Sequence, residues 1–180
     1  MDSFEFRGQT QGLLAEDYLP FDYDENGQYR GIAGETLRRI SELIGMRFTV
    51  VSGPFAQPYE KAKSGSIDLL NIAKTEDRLA HFIYPRPISY DRDIIVGLKN
   101  SAPVQDVYGL EGRTVAVIDG FWHDEYLRKN LKDARIVKTA DILESLNLLR
   151  AGKVAYMIEN PTVVEFYIIE LSIINDITKV

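Results

Sequence analysis

Strand patterns and helix patterns alternate along this chain, and the alternation stops and restarts once near the middle. The predicted strands are 11–15, 47–51, 67–72, 94–98, 114–118, 135–138, 154–158 and 174–180. Helices are predicted between them at 35–44, 58–63 and 123–131, and after the caps Asp141 and Asn160. Such alternation favours parallel strand pairing through right-handed crossovers. We therefore predict an α/β chain of two lobes, residues 1–90 and 94–180, with a hinge at 91–93.

The run from residue 18 to residue 45 carries the strongest local signals. Three aromatic residues, Tyr18, Phe21 and Tyr23, come first and form what we call the aromatic shelf. Asn26-Gly27 then predicts a tight hairpin turn. The helix that follows has Leu37, Ile40, Leu43 and Ile44 on one face and stops at Gly45. A shelf, a hairpin and a helix in this order predict the rim of a pocket on an α/β layer.

Metal and catalytic motifs are missing from the sequence. Asp22, Asp24 and Asn26 copy the first half of a calcium loop, but Ala33 stands where the glutamate is required. The two histidines have no partner at ligand spacing, and no zinc-protease, nucleophile-elbow or phosphate-loop motif occurs. We predict a hairpin turn in place of a calcium site, no metal, no cofactor and no catalytic residue.

Charge and cysteine content exclude several further classes. The 180 residues carry a formal net charge of -6 and no cysteine. An acidic surface repels phosphate backbones, so we predict no nucleic-acid partner, and disulfides and thiolate sites are excluded. No stretch reaches the roughly 20 apolar residues of a membrane span. The first ten residues lack a signal-peptide pattern, so we expect either a cytoplasmic protein or an excised domain.

Four segments, taken in order, carry a family resemblance. They are the run at 18–45, the G-x-I-D turn at 63–70, the arginine and proline segment at 75–87, and the strand and helix end at 110–154. This order resembles the bacterial extracellular solute-binding proteins of family 3, which have the type II periplasmic binding fold. Within that family the chain looks most like the Venus-flytrap ectodomains of membrane sensor proteins. The resemblance extends over about residues 11–180 and implies two lobes that close on a ligand.

The resemblance implies a set of ligand-binding positions. Tyr18 and Phe55 match aromatics on the two sides of the ligand, and Arg78 matches the arginine that binds its carboxylate. Trp122 matches a loop position that usually holds a small hydroxyl residue. Asn160 matches an acidic residue that usually pairs with an amino group. From the residues alone, Arg78 could instead be a surface arginine, the two aromatics could be core residues, and Asn160 could be a helix cap.

Several positions depart from the family pattern, and these departures change the class of ligand that we predict. Trp122 lacks the hydroxyl, Ala73 stands where a serine often helps to bind the carboxylate, and Asn160 carries no charge. Ala155 also replaces the usual aspartate. We therefore predict a carboxylate without an amine, or a small aromatic acid, in place of an ordinary α-amino acid.

The resemblance implies a non-catalytic domain that binds a small organic acid or amino acid outside the cytoplasm, in the periplasm or its equivalent. We expect the sensing module of a bacterial signal-transduction protein, with membrane-linked signalling domains as partners. The receptor of an ABC amino-acid importer, with a permease as partner, is the alternative. A cyclic-acid dehydratase using Glu159 and Asp119 is a distant third. Family members return to lobe 1 after the strand that matches 174–180, so we expect lobe 1 to be incomplete here.

Overall fold

The computed structural model describes residues 10–15, 17–90 and 92–180. The chain divides between Ser89 and Tyr90 into two compact units, called the first and the second unit below. Helices and sheets occur in both units, which confirms the predicted α/β class. The lobe and hinge limits drawn from the sequence stay predictions. Among the helices of the described residues, none is both long and apolar enough to cross a membrane.

The first unit is built around a pair of parallel strands. Its elements are β1 (Thr10–Ala15), β2 (Tyr23–Glu25), β3 (Gln28–Arg30), α1 (Gly31–Ile44), β4 (Arg47–Ser52), α2 (Ala56–Lys63) and a 3₁₀ turn (Asp77–Ala80). β1 and β4 pair in parallel, with Leu13 opposite Val50. β2 and β3 form the predicted hairpin, whose turn residues Asn26 and Gly27 have φ of 56° and 78°. Two successive left-handed residues are what a two-residue hairpin turn needs, so the predicted turn is confirmed.

Helix α1 begins four residues before the predicted start at residue 35. The amide groups of Ile32 and Ala33 donate to the main-chain carbonyls of residues 20 and 21, at 3.2 and 2.8 Å. These carbonyls satisfy amide groups that a capping side chain would otherwise satisfy. The residue before the helix, Arg30, makes no side-chain cap. The sequence therefore carried no local signal for the true start.

The apolar face of α1 is exposed towards its C-terminal end. Leu43 is 70% exposed, and Ile40 and Ile44 are each 37% exposed. The buried part of the helix is its beginning, where a Cβ atom on Gly34 would lie 2.7 Å from the Tyr29 carbonyl oxygen. Close approach of α1 to the hairpin thus fixes its position. The apolar spacing predicted the helix, but most of the face it marked lies at the surface of this unit.

The predicted strand at 67–72 is wrong. This segment makes a single parallel bridge, between Leu69 and Leu13, and the rest of it is irregular. The Asp68 carboxylate accepts the Gly12 amide at 2.7 Å, and the amide groups of Asp68 and Leu69 both donate to the Gly12 carbonyl. The Asp68 side chain thus accepts the hydrogen bond of the Gly12 amide, which a neighbouring strand would otherwise have accepted. The strand ladder does not extend for this reason.

The second unit is a five-stranded mixed sheet with helices. Its elements are β5 (Ile94–Leu98), a 3₁₀ turn (Val107–Leu110), β6 (Thr114–Ile118), α3 (Trp122–Asn130), β7 (Arg135–Thr139), α4 (Ile142–Arg150), β8 (Tyr156–Glu159), α5 (Pro161–Glu170) and β9 (Ile177–Lys179). The strand order is β7-β6-β8-β5-β9, with β6 parallel to β7 and β8, and β5 antiparallel to β8 and β9. All five strands predicted for this half are confirmed, although β8 and β9 begin later than expected. The core includes Leu110, Val115, Val117, Leu127, Leu131, Tyr156 and Ile158.

The predicted cap of α4 is confirmed. The Asp141 carboxylate accepts the amide of Glu144 at 2.8 Å. The Glu144 carboxylate accepts the amide of Ala140 at 2.7 Å, one residue before the position that a capping box uses. Two amide groups at the start of the helix are satisfied in this way.

Replacing this cap is expected to lower stability measurably. An Asp141→Ala variant should lose about 1 kcal/mol of unfolding free energy, because the Glu144 amide loses its acceptor. Urea denaturation followed by circular dichroism measures the loss. Asp133→Ala is the control, since this exposed carboxylate lies outside the helices and should change stability by less than about 0.5 kcal/mol. Equal losses in the two variants would contradict the capping role.

Candidate functional site

Arg78 is a buried cation of the first unit. It lies in the 3₁₀ turn at Asp77–Ala80 and is only 2% exposed. Its guanidinium carbon is 5.2 Å from the centre of the Tyr59 ring, and Nη1 donates to the Ala73 carbonyl at 3.5 Å. The alternative of a surface arginine is therefore wrong. A guanidinium that rests on an aromatic face keeps a defined orientation.

The ring that contacts this arginine belongs to a group of three neighbouring aromatic rings. The rings of Phe55 and Tyr59 are 5.3 Å apart and nearly parallel, and those of Tyr59 and Phe82 are 5.7 Å apart. We call Phe55, Tyr59 and Phe82 the aromatic column. Phe55 is 4% exposed and Tyr59 8%, so the column is largely buried in the first unit. Lys63 adds a second cation, 5.5 Å from the Tyr59 ring centre.

Tyr59 was missed from the sequence because the start of α2 was placed too late. The sequence prediction begins this helix at Pro58. In the structure α2 begins at Ala56, and Pro58 is its third residue, where a missing amide also costs no helical hydrogen bond. Phe55 and Tyr59 are then one helical turn apart and stack. An i, i+4 aromatic pair was the signal that could have identified Tyr59.

The other two predicted positions of the first unit occupy different surroundings. Tyr18 is half-buried and stacks on Phe21, with ring centres 5.8 Å apart. Ala73 is exposed, and its carbonyl accepts from both Arg78 and the Tyr84 hydroxyl. The structure therefore links Arg78 to Phe55 through Tyr59 and to Ala73 directly, whereas Tyr18 stacks in the turn that begins the hairpin.

A buried hydrogen bond connects that turn to the segment that leads to Ala73. The Asn71 side-chain amide donates to the Asp22 carboxylate at 2.8 Å, and Asp22 is 2% exposed. The amide of Tyr18 donates to the Asp22 carbonyl at 2.9 Å. The turn and the segment near Ala73 are thus fixed to each other within the first unit.

In the second unit, Trp122 is the first residue of α3. Its ring lies 4.6 Å from that of His123 and 5.5 Å from that of Tyr126, and it is half-buried. His123 is buried, and its Nε2 is 3.1 Å from the Asp93 carboxylate. The position matched to a small hydroxyl residue is thus part of a packed aromatic group.

Asn160 is the cap of α5. Its side-chain oxygen accepts the amide of Thr162 at 2.8 Å, and Pro161 is the first helical residue, as predicted. Asn160 is 4% exposed. The main-chain amide of Asn160 donates to the Glu159 carboxylate at 2.7 Å. The helix-cap reading of Asn160 is confirmed, and the side-chain NH₂ group remains its other hydrogen-bonding group.

The two carboxylates considered for catalysis both have partners. Lys138 donates to Asp119 at 2.7 Å and lies 3.2 Å from Asp124, and these hydrogen bonds raise the pKa of Lys138. Glu159 is 1% exposed and accepts the Asn160 amide. Both carboxylates therefore take part in hydrogen bonds at the ends of β6 and β8.

The fold defines a class of protein, the solute-binding proteins with a periplasmic binding fold. A crystal structure of a histidine kinase sensor domain with similarity to periplasmic binding proteins has a TM-score of 0.88 and 26% identity, covering 97% of this chain and 77% of that one. An ancestral arginine-binding protein bound to arginine has a TM-score of 0.83 and 22% identity, covering 97% and 79%. The second likeness shows the fold alone.

The family follows from the sequence match. The model of the bacterial extracellular solute-binding proteins, family 3, matches residues 13–162, and the chain belongs to this family. A probable amino-acid-binding protein of Bacillus subtilis (strain 168), YxeM, is 27% identical over 156 residues. That match covers 84% of this chain and 59% of the relative, so the chain spans less than two thirds of its length.

Proposed function

We propose that this chain is the ligand-binding part of an extracytoplasmic sensor, and that it binds a small carboxylate through Arg78. The observation that carries the proposal is the burial of the Arg78 guanidinium on the aromatic column, beside the Ala73 carbonyl. Phe55, Ala73 and Arg78 are three of the positions that the family resemblance assigns to the ligand. A guanidinium fork binds a carboxylate through two parallel hydrogen bonds.

The ligand proposed is an acid without an α-amino group. An ammonium needs a nearby carboxylate, and Asn160 offers none from its own side chain. The Asn160 oxygen already accepts the Thr162 amide, so it is a poor second acceptor for an ammonium. A carboxylate with an apolar or aromatic body suits an arginine next to aromatic rings. YxeM is named as a probable amino-acid-binding protein, so the ligand class proposed for this chain differs from the one that name gives.

The sensing role is supported by the likeness to the histidine kinase sensor domain, at 26% identity and a TM-score of 0.88. The second candidate is the receptor of an amino-acid importer, a role that suits the likeness to YxeM, which is named as a probable amino-acid-binding protein. The reading frame and the neighbouring genes distinguish a sensor from an importer receptor. A sensor predicts a membrane segment and a signalling domain in the same reading frame. An importer receptor predicts a separate permease gene beside it, and that result would replace the sensing role.

A binding screen tests the ligand class. Thermal unfolding is recorded with glutamine, arginine and histidine, and with 3-phenylpropanoate, 4-hydroxybenzoate and glutarate. A ligand that binds the folded chain raises its unfolding temperature, by an amount set by concentration and Kd. We expect at least one of the three amine-free acids to raise it. Stabilisation by the amino acids alone would overturn the proposed ligand class.

Restoring an acid at position 160 is expected to change the ligand preference. An Asn160→Asp variant keeps a good helix cap and adds the charge that an ammonium needs. The Kd for the best amino acid in the screen should fall about tenfold, equivalent to about 1.4 kcal/mol. Calorimetric titration measures the change.

Gln105→Glu is the matched control for this variant. It also converts an amide to a carboxylate, but at an exposed position in the loop after β5. Its affinity for amino acids should equal that of the wild type. If the two variants gain equally, net charge causes the effect and Asn160 lies outside the ligand site.

A further inference from the structure

A polar groove of about 640 Å³ lies on the second unit, away from the positions discussed above. Six polar residues line it, together with two apolar ones. The six are Lys99, Asn100, Asn147, Arg150, Asn175 and Asp176. Its volume is within the range of small-molecule sites in proteins.

Three segments of the chain form the groove, and contacts between them fix its shape. Leu98 at the end of β5 pairs with Ile177 at the start of β9. The Lys99 amide donates to the Asp176 carbonyl at 2.9 Å. The Arg150 side chain, at the end of α4, donates to the Asp176 carboxylate at 3.2 Å. The groove therefore belongs to the sheet and α4 together and does not depend on a single loop.

The groove lies at one end of the strands of the sheet, and Trp122 and Asn160 lie at the opposite end. Those two residues follow the carboxyl ends of β6 and β8, which are parallel. β5 runs antiparallel to β8, with Ile94 opposite Glu159. The Lys99 end of β5 consequently lies beside the amino end of β8. A molecule in this groove would be separated by the length of the sheet from one that contacts Asn160.

The side chains of the groove are mostly exposed, and they offer several hydrogen-bond donors to a molecule that binds there. Lys99, Asn100, Asn147 and Asn175 have no side-chain hydrogen bond or ion pair within residues 10–15, 17–90 and 92–180. Arg150 uses Nε for Asp176, and its guanidinium has further N–H groups. With Lys99 and Arg150 against Asp176, the groove carries one net positive charge in a chain of net charge -6. Such a surface attracts anions locally.

We propose that this groove is a second binding site, for a small oxyanion that also carries hydroxyl groups. Lys99 and Arg150 bind the carboxylate or phosphate oxygens through charge-assisted hydrogen bonds. The three asparagine amides donate to its remaining oxygens, and Asp176 accepts from its hydroxyl groups. Hydroxycarboxylates and sugar phosphates share this chemistry. The site is independent of Arg78 and of the proposed function.

The test is calorimetric titration of the full chain with citrate, glucose 6-phosphate and glucose. We expect saturable binding of citrate, glucose 6-phosphate or both, with glucose binding at least tenfold more weakly. The two anions distinguish a carboxylate site from a phosphate site. If neither anion saturates at millimolar concentration, or if glucose binds equally well, the proposal is overturned.

Variants locate the site. Lys99→Gln is the main variant because Lys99 has no ion pair with the part of the chain that the structure describes, and Arg150→Gln is the second. Each should weaken anion binding about tenfold. Lys153→Gln removes the same charge from an exposed position outside the groove and should change the Kd less than twofold. Equal losses in Lys153→Gln would show a general charge effect. Loss in Arg78→Gln would place the anion in the first unit. Either result contradicts the proposal.

Discussion

An Arg78→Gln variant is expected to bind the acid identified in the screen about 100-fold more weakly than the wild type. Two charge-assisted hydrogen bonds to the carboxylate are lost, and about 100-fold corresponds to about 2.7 kcal/mol. Glutamine keeps an amide donor and much of the side-chain length, so the first unit should still fold. Calorimetric titration of both proteins with the same acid measures the change in Kd.

Two checks separate a binding defect from a folding defect. The variant also loses the contact between the guanidinium and Tyr59, which should cost about 1 kcal/mol of stability and is seen by urea denaturation. Arg86→Gln is the control, because Arg86 is exposed in the same unit, and its Kd should match the wild type. If Arg78→Gln binds the acid as tightly as the wild type while remaining folded, Arg78 is not the carboxylate ligand.

The largest effect on stability is expected from Leu146→Ala. Leu146 lies in the middle of α4 and is fully buried against the sheet of the second unit. Truncation to alanine removes apolar contacts and leaves a cavity, which should lower the free energy of unfolding by about 3 kcal/mol. Urea denaturation monitored by circular dichroism gives the value.

Leu143→Ala is the matched control in the same helix. Leu143 is 39% exposed, so its truncation removes less buried surface and should cost less than about 1 kcal/mol. Equal costs at the two positions would mean that α4 does not pack in the orientation described here.

The second unit was predicted from the sequence better than the first. β5 and β6 have the predicted limits, and both helix caps, Asp141 and Asn160, are used as expected. These elements are specified locally, by β-branched runs and by caps next to the helices that they begin. Local patterns of this kind are visible in a single sequence.

Two of the errors in the first unit, at the start of α1 and at 67–72, have nonlocal causes. The start of α1 is satisfied by main-chain carbonyls at residues 20 and 21, and the segment at 67–72 is held by the Asp68 carboxylate on β1. Neither contact has a pattern at short sequence spacing. The exposure of Leu43 likewise depends on what packs nearby, since spacing predicts a face but not what covers it.

The candidate site also contains residues that the sequence identified and one that it did not. The family resemblance identified Phe55, Ala73 and Arg78. In the structure Arg78 contacts Ala73 directly and is linked to Phe55 through Tyr59. The resemblance did not identify Tyr59, whose role depends on where α2 begins. Tyr18, Trp122 and Asn160 stay predictions as ligand contacts. Their described contacts are with Phe21, with His123 and Tyr126, and with Thr162.

The most direct test of a carboxylate site without an ammonium partner is calorimetric titration with acids that differ only in the α-amino group. The pairs are glutamine with 5-amino-5-oxopentanoate, arginine with 5-guanidinopentanoate, and phenylalanine with 3-phenylpropanoate. We expect the amine-free acid of at least one pair to bind with a Kd in the low micromolar range, and its amino acid to bind at least tenfold more weakly. A low micromolar Kd for glutamine or arginine, with no binding of the amine-free partner, would contradict the account.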